Sequence, residues 1–227
     1  MDDRLKQLLR LVIEDVVETG EPVGSQRLVE AYNLEVSSAT IRNWLVELED
    51  EGYLVQPHTS AGRIPTEKGY RFYLSELMRE RTLRQRELRN LRQAALMLGE
   101  SALHIKQLAK IVADLAQDAV VLADPRSTTV STGLSHLLAQ PEFSNRERVM
   151  NFGDVLDRMD EIVTELRQRT FEQPTALIGK DCPFGEECGS VFLTLRDGTL
   201  LGILGPMRMD YSRGFTVLRT TKDFIDE

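Results

Sequence analysis

The sequence predicts an α+β protein: a helical N-terminal third closed by a short hairpin, a long helical middle, and a C-terminal half in which strands and helices alternate. Three observations lead there. Apolar residues recur at helical spacing from Leu5 to Val16 and again from Ile41 to Leu48. A polar turn cluster, His58 to Gly62, separates two short extended stretches. Beyond Ala119, short apolar runs such as Val120-Val121-Leu122 alternate with amphipathic segments.

In the first third, Leu5, Leu8, Leu9, Val12, Ile13 and Val16 form one helical face, and Gly20-Glu21-Pro22 ends the helix. Ser25 is placed to cap a short second helix, Gln26 to Tyr32, with Leu28 and Val29 inward. Ser37 or Ser38 caps a third helix that runs to about Glu51; Ile41, Trp44, Leu45 and Leu48 face inward, and Gly52 stops it. Tyr53 to Pro57 reads as a strand and Arg63-Ile64-Pro65 as its return, after which Thr66 caps a further helix. Three helices followed by a hairpin with a polar tip is the order of a winged helix-turn-helix, placed at residues 1–75.

Helix formers then dominate for some fifty residues. The imperfect heptad-like stripe of Leu77, Leu83, Leu88, Leu91, Ala95 and Leu98, continued after a break near Gly99 by Leu103, Ile105, Leu108, Ile111, Val112 and Leu115, predicts long helix over 76–118 serving as linker, dimer seam or ordinary bundle helix. From 119 on, a buried strand at Val120 is followed by a polar stretch, Arg126 to Thr132, a short helix, Gly133 to Gln140, and an amphipathic helix, Val149 to Thr170. Thr175–Ile178, Ser190–Leu195 and Leu200–Leu204 read as strands, the last two joined by a tight turn at Asp197-Gly198, and Gly205-Pro206 is expected to open a last helix. Three or four strands with helices make a small α/β domain of sensor type.

Composition narrows the function. No apolar run approaches the roughly 20 residues that a membrane span needs, and Met1-Asp2-Asp3-Arg4 does not read as a signal peptide, so a cytoplasmic location and no membrane partner are expected. The only cysteines, Cys182 and Cys188, lack two further ligands nearby, and the three histidines are scattered, so no metal or other cofactor is expected and the thiols are read as reduced residues of a loop. No nucleotide-binding glycine pattern or Ser-His-Asp order suggests an enzyme. The net charge is −8, yet Tyr53 to Arg92 holds nine basic residues against four acidic ones. A basic block inside an acidic chain fits nucleic-acid binding or a solvated helix face.

The third helix carries the chemistry. Its start leaves Ser37, Ser38, Thr40, Arg42 and Asn43 short, polar or basic, while its end (Glu47, Glu49, Asp50, Glu51) is acidic, so the N-terminal end is the one suited to a DNA groove. Arginine binds guanine with two hydrogen bonds and asparagine does the same with adenine, while serine and threonine hydroxyls suit phosphate. His58, Thr59, Ser60, Gly62 and Arg63 lie on or beside the hairpin tip, which can approach a phosphate strand or put Arg63 into the minor groove, and Lys68 and Arg71 would neutralise phosphates.

At these residues the chain resembles the heat-inducible transcription repressors of the HrcA family. The matching stretches run from Glu18 to Leu74, from Ser135 to Phe143 (SHLLAQPEF) and from Gly202 to Arg213 (GILGPMRMDYSR). The resemblance implies a homodimer that binds an inverted-repeat operator in double-stranded DNA ahead of chaperone operons, represses until heat stress, and is kept active by the chaperonin. It also implies a winged helix followed by a GAF-like domain with an inserted dimerisation segment. Ser37, Ser38, Thr40, Arg42 and Asn43 then fall on the recognition helix, and Thr59, Ser60, Gly62 and Arg63 in the wing. The chain departs from the family pattern after Asp124, where Arg126 to Gly133 passes almost directly to the insert motif. A reduced GAF-like domain over 119–227, with an insert remnant at about 127–172, is therefore expected. Two other readings remain open: a regulator whose GAF-like domain senses a small molecule, and a winged helix used only for protein contacts.

Overall fold

The computed structural model describes residues 1–59, 61–98, 101–125, 129–144 and 146–227. The described chain divides into two compact units, Met1–Arg79 and Glu80–Glu227.

In the first unit, α1 (Asp3–Thr19) starts where the Asp2 side chain accepts the Leu5 amide at 3.0 Å, and it ends at Gly20, which takes a left-handed φ of 72°. α2 spans Ser25–Tyr32, but Ser25 is its first residue rather than its cap; Gly24 holds the cap position and no side chain caps the helix. α3 (Ser38–Asp50) is capped by Ser37, whose hydroxyl accepts the Thr40 amide at 3.1 Å. Leu9, Ile13, Leu28, Ile41, Leu45 and Leu48 are almost wholly buried and form the core between the three helices. Trp44, expected inward, is only half-buried, with the Arg4 guanidinium 5.4 Å from its ring centre. β1 (Leu54–Val55) and β2 (Ile64–Pro65) form a shorter antiparallel hairpin than expected, and Val23 pairs with Arg63 beside it. Thr66 caps α4 (Glu67–Phe72), which runs into a π-helical turn, Tyr73–Leu77.

The expected long helix is not continuous. The backbone is extended at Met78 (ψ 134°), and helix resumes as α5 (Gln85–Leu96) and α6 (Ala102–Ala116); Gly99, where a break was expected, lies outside the described residues. Leu83, Leu91, Leu108 and Leu115 are buried within the second unit, where α5 packs on α6 and on the last helix, α10 (Tyr211–Asp226). These four leucines thus serve the second unit's own core, whereas Leu96 and Leu103, on either side of the interruption, are exposed. Heptad-like spacing alone does not distinguish the two, because the same stripe fits a neighbouring helix of either chain.

The second unit is built on five antiparallel strands in the order β4-β3-β7-β6-β5. They are β3 (Ala119–Ala123), β4 (Thr129–Thr132), β5 (Thr175–Ile178), β6 (Cys188–Thr194) and β7 (Leu200–Pro206). β4 falls in the stretch read as polar, the first part of which, residues 126–128, lies outside the described residues. Its Thr and Val residues suit an edge strand as readily as a connection. One sheet face, through Val121, Phe192 and Leu204, buries the helices α7 (Leu134–Leu138), α8 (Arg146–Asp157) and α9 (Met159–Leu166). The other face, through Val191 and Ile203, meets α10 at Gly214. The helix expected over Val149–Thr170 is the pair α8 and α9, and Pro206 ends β7 opposite Cys188 instead of opening a helix. Proline's fixed φ is tolerated at a strand end, and α10 waits for Asp210, whose side chain accepts the Arg213 amide at 3.0 Å. Cys182, in the loop after β5, and Cys188, at the start of β6, are both buried free thiols, and burial pushes the Cys188 thiol up to about 12. Among the described residues, no helix is long and apolar enough to cross a membrane.

The two motifs near Ser135 and Gly202 meet at one side chain. Arg208 donates to Glu142 Oε2 at 3.0 Å and to Gln140 Oε1 at 2.8 Å, tying the end of β7 to the turn after α7. Beside it the Asp118 carboxyl is buried; burial raises its pKa well above the usual carboxylate range, opposed by Arg208 and reinforced by Asp210 and Glu142. The folded state therefore holds this proton more tightly than the unfolded chain does. Its contribution is intact below the ordinary aspartate value and declines as pH rises toward the raised value. Asp118→Asn is expected to flatten this slope and to raise stability at neutral pH, measured by urea unfolding across mildly acidic to mildly alkaline buffers. An unchanged slope would contradict the assignment.

Candidate nucleic-acid interface

α3 presents two different faces. Ile41, Leu45 and Leu48 are buried, whereas Ala39, Arg42, Asn43 and Val46 form an exposed stripe at helical spacing. Ser38 is exposed at the first turn, and Thr40 is half-buried with its hydroxyl 2.9 Å from that of Ser37. The unpaired first-turn amides give the helix start a partial positive charge that Arg42 reinforces, while Glu47, Asp50 and Glu51 are exposed at the other end. The helix is thus polarised along its axis, with the anion-attracting end being the one that carries the short polar side chains.

The hairpin is fastened beside this stripe by one carboxylate. Glu49 Oε1 accepts the Gln56 amide at 3.1 Å, and Glu49 Oε2 accepts from Arg63 Nε at 3.0 Å and pairs with its terminal nitrogen at 2.9 Å. The Gln56 side-chain amide donates to the carbonyls of Thr59 (3.1 Å) and Ala61 (2.8 Å), which holds the tip in shape. Arg63 also exchanges backbone hydrogen bonds with Val23 at 2.9 and 3.0 Å. Between the start of α2, the outer face of α3 and the hairpin lies an open groove of about 390 Å³, lined among others by Ser25, Arg42, Val46, Gln56, Thr59 and Gly62. It brings together Arg42 from the helix and Thr59 and Gly62 from the hairpin, with the uncapped α2 start as a further source of amide donors.

Several expected contact residues have other roles here. Arg63 lines the groove, but its side chain is 13% exposed and committed to Glu49, so it fastens the hairpin instead of projecting from it. Gly62 sits where a Cβ would overlap the backbone of Pro22 and Val23; it permits close packing and is not a matter of tip flexibility. Lys68 donates to the Glu51 carbonyl at 2.6 Å and stands 4.3 Å from the Tyr53 ring centre, at the acidic end of α3 and roughly 18 Å along the helix from Ser38. Arg71 pairs with Glu67 at 2.8 Å. His58 and Thr59 are exposed at the tip, and Ser60 lies outside the described residues.

The basic block of Tyr53 to Arg92 spans the boundary between the units. Arg81 and Arg92 pair with Asp210 and Glu227 at 3.1 and 2.6 Å inside the second. Pairing opposite charges between segments distant in sequence produces a charge block that composition alone cannot tell from a binding patch. Sequence reasoning missed Val46, Gln56 and Glu49. Val46 had a legible signal, lying four residues after Arg42 on the same face. The roles of Gln56 and Glu49 depend on the hairpin's placement and had none.

Residues 66–214 match the family described as "HrcA protein C terminal domain". The heat-inducible transcription repressor HrcA of Acetivibrio thermocellus is 41% identical over 126 residues, covering 55% of this chain and 36% of that protein. That of Thermobifida fusca is 37% identical over 191 residues, covering 79% of this chain and 54% of that protein. A crystal structure described only as that of a hypothetical protein superposes with a TM-score of 0.74 at 19% identity, covering 100% of this chain and 98% of the other, which establishes a shared fold. The chain belongs to the HrcA family. It spans about half or less of the length of these relatives.

Gly62→Ala is expected to destabilise the first unit by about 1–3 kcal/mol through overpacking against the Pro22–Val23 backbone, measured by urea unfolding. Wild-type stability in that variant would show that the close approach is not needed.

Proposed function

We propose that the chain is a sequence-specific DNA-binding transcription repressor of heat-shock operons. In this reading the first unit is a winged helix that inserts the N-terminal end of α3 into the major groove, with the hairpin as wing. The second unit is a reduced GAF-like domain bearing α7, α8 and α9 as an inserted segment. The observation that carries the reading is the groove that sets Arg42 and the exposed stripe of α3 beside the Thr59 side of the hairpin. Relatives named heat-inducible transcription repressors support it. The polarity of α3 supports entry by its serine-capped end, since the acidic end would repel phosphates.

The proposed contacts are Ser37, Ser38, Thr40, Arg42 and Asn43 on the helix and His58 and Thr59 on the wing. Arg63 and Gly62 act by placing the wing. Two such helices reading an inverted repeat require a homodimer. Leu91, Leu108 and Leu115 of α5 and α6 are internal, whereas Leu96 and Leu103 are exposed and remain free to serve such a dimer. Contact with a chaperonin belongs to the same proposal, and the protein would act in the cytoplasm with the chromosome.

The test is a binding series on an inverted-repeat duplex against scrambled duplex over a range of salt. Arg42→Ala is expected to lose about 1–3 kcal/mol on the preferred duplex and far less on the scrambled one. Lys68→Ala, altered at the remote end of α3, is expected to leave the salt slope unchanged. Equal losses on both duplexes in Arg42→Ala would exclude base reading by that residue, and a wild-type protein with no duplex preference would exclude the function.

A further inference from the structure

Among the exposed side chains of α3, Val46 stands out chemically. It is 40% exposed, it lines the groove with Arg42 and Thr59, and it follows Arg42 by one helical turn on the same stripe. Neither packing nor helix formation calls for it. The inward stripe of Ile41, Leu45 and Leu48 is complete without it, and a β-branched residue is a poorer helix former than the Ala, Lys or Glu usual on a wet face. An apolar side chain beside an arginine in an open groove has one natural counterpart on a DNA edge. The C5 methyl of thymine is the apolar group that base pairs present in the major groove, next to the acceptors that arginine reads on guanine.

Resting on the duplex-reading role proposed above, we propose that Val46 is a specificity-determining residue that packs on a thymine methyl, so that the preferred duplex carries in each half-site a thymine near the guanine read by Arg42. The spacing follows from geometry. Four residues rise about 6 Å along a helix, against about 3.4 Å per base pair, which puts the thymine within about two base steps of the guanine. Gln56 and Thr59 line the groove together with Val46 and Arg42.

The experiment uses the full chain. A randomised duplex pool is selected for binding, and in the preferred duplex each thymine is replaced singly by deoxyuridine, which removes the methyl and keeps the pairing. At one thymine per half-site the wild-type protein is expected to bind about 3- to 5-fold more weakly after replacement, the scale of one buried methyl group. Val46→Ala is expected to bind the two duplexes nearly alike. Because Val46 is exposed and alanine favours helix, that variant should keep the wild-type melting temperature, which is measured alongside. If no thymine responds to loss of its methyl, or if the penalty persists in Val46→Ala, the inference is overturned while sequence-selective binding through Arg42 stands. A pool that enriches no sequence overturns the duplex-reading role and this inference together.

Discussion

The arrangement of the first unit depends on the Glu49 carboxylate. It sits in the acidic half of α3, yet it accepts from the Gln56 amide and from the Arg63 side chain, so one residue joins the helix to both strands' ends of the hairpin. Arg63 is nearly buried and Glu49 partly so, with side chains 13% and 30% exposed, which keeps the pair less screened than a surface ion pair. Charge-assisted bonds with fixed geometry hold a short hairpin that two residue pairs of ladder would not hold alone. With the hairpin fixed, the distance between Arg42 and the tip is fixed, and with it the width of the groove. Preorganisation of this kind lowers the ordering cost of binding.

The same carboxylate explains how an acidic chain presents a face suited to an anion. Acidic residues of α3 lie at its C-terminal end or are neutralised by the hairpin; at its N-terminal end are Ser37, Ser38, Thr40, Arg42 and free amides. The arrangement of charge along one helix, and not the net charge of −8, sets what the face attracts. The second unit uses its charges differently. Arg208, Arg81 and Arg92 each hold a carboxylate within it, and Arg213 joins Glu87 and the Leu115 carbonyl at the end of α6. The two distinctive motifs around Ser135 and Gly202 are therefore structural ties of the α/β unit.

Where local chemistry decides, the fold was legible in the sequence. Ser37 capped α3, Thr66 capped α4, Gly20 ended α1, and the inward positions of α1 and, Trp44 apart, of α3 followed from apolar spacing, because each depends on neighbours within a turn. Reading failed where tertiary packing decides. Leu83, Leu91 and Leu108 fit one long helix, but the backbone is extended at Met78 and these residues are buried where α5, α6 and α10 pack together. Pro206 fits a helix start or a strand end, and its pairing with Cys188 selects the strand. In the candidate interface, Arg42 and Asn43 were readable from their place on an amphipathic helix. The contacts of Arg63 with Glu49, of Lys68 with the Glu51 carbonyl and of Gly62 with the Pro22–Val23 backbone were not readable, because a residue type carries no record of the partner it meets across the fold.

The first unit thus supplies a rigid face and the second a sheet with helices on both sides, a division consistent with family membership and with the shared fold. The central claim concerns which face meets the duplex, and hydrogen exchange with and without an excess of the preferred inverted-repeat duplex tests it most directly. Slowed exchange is expected in the first unit at the start of α2, along α3 from Ser38 to Val46 and in the hairpin around Gln56 to Gly62, with α4 unchanged. Protection concentrated on α4 or on the acidic end of α3, with the serine-capped turn unaffected, would contradict that claim.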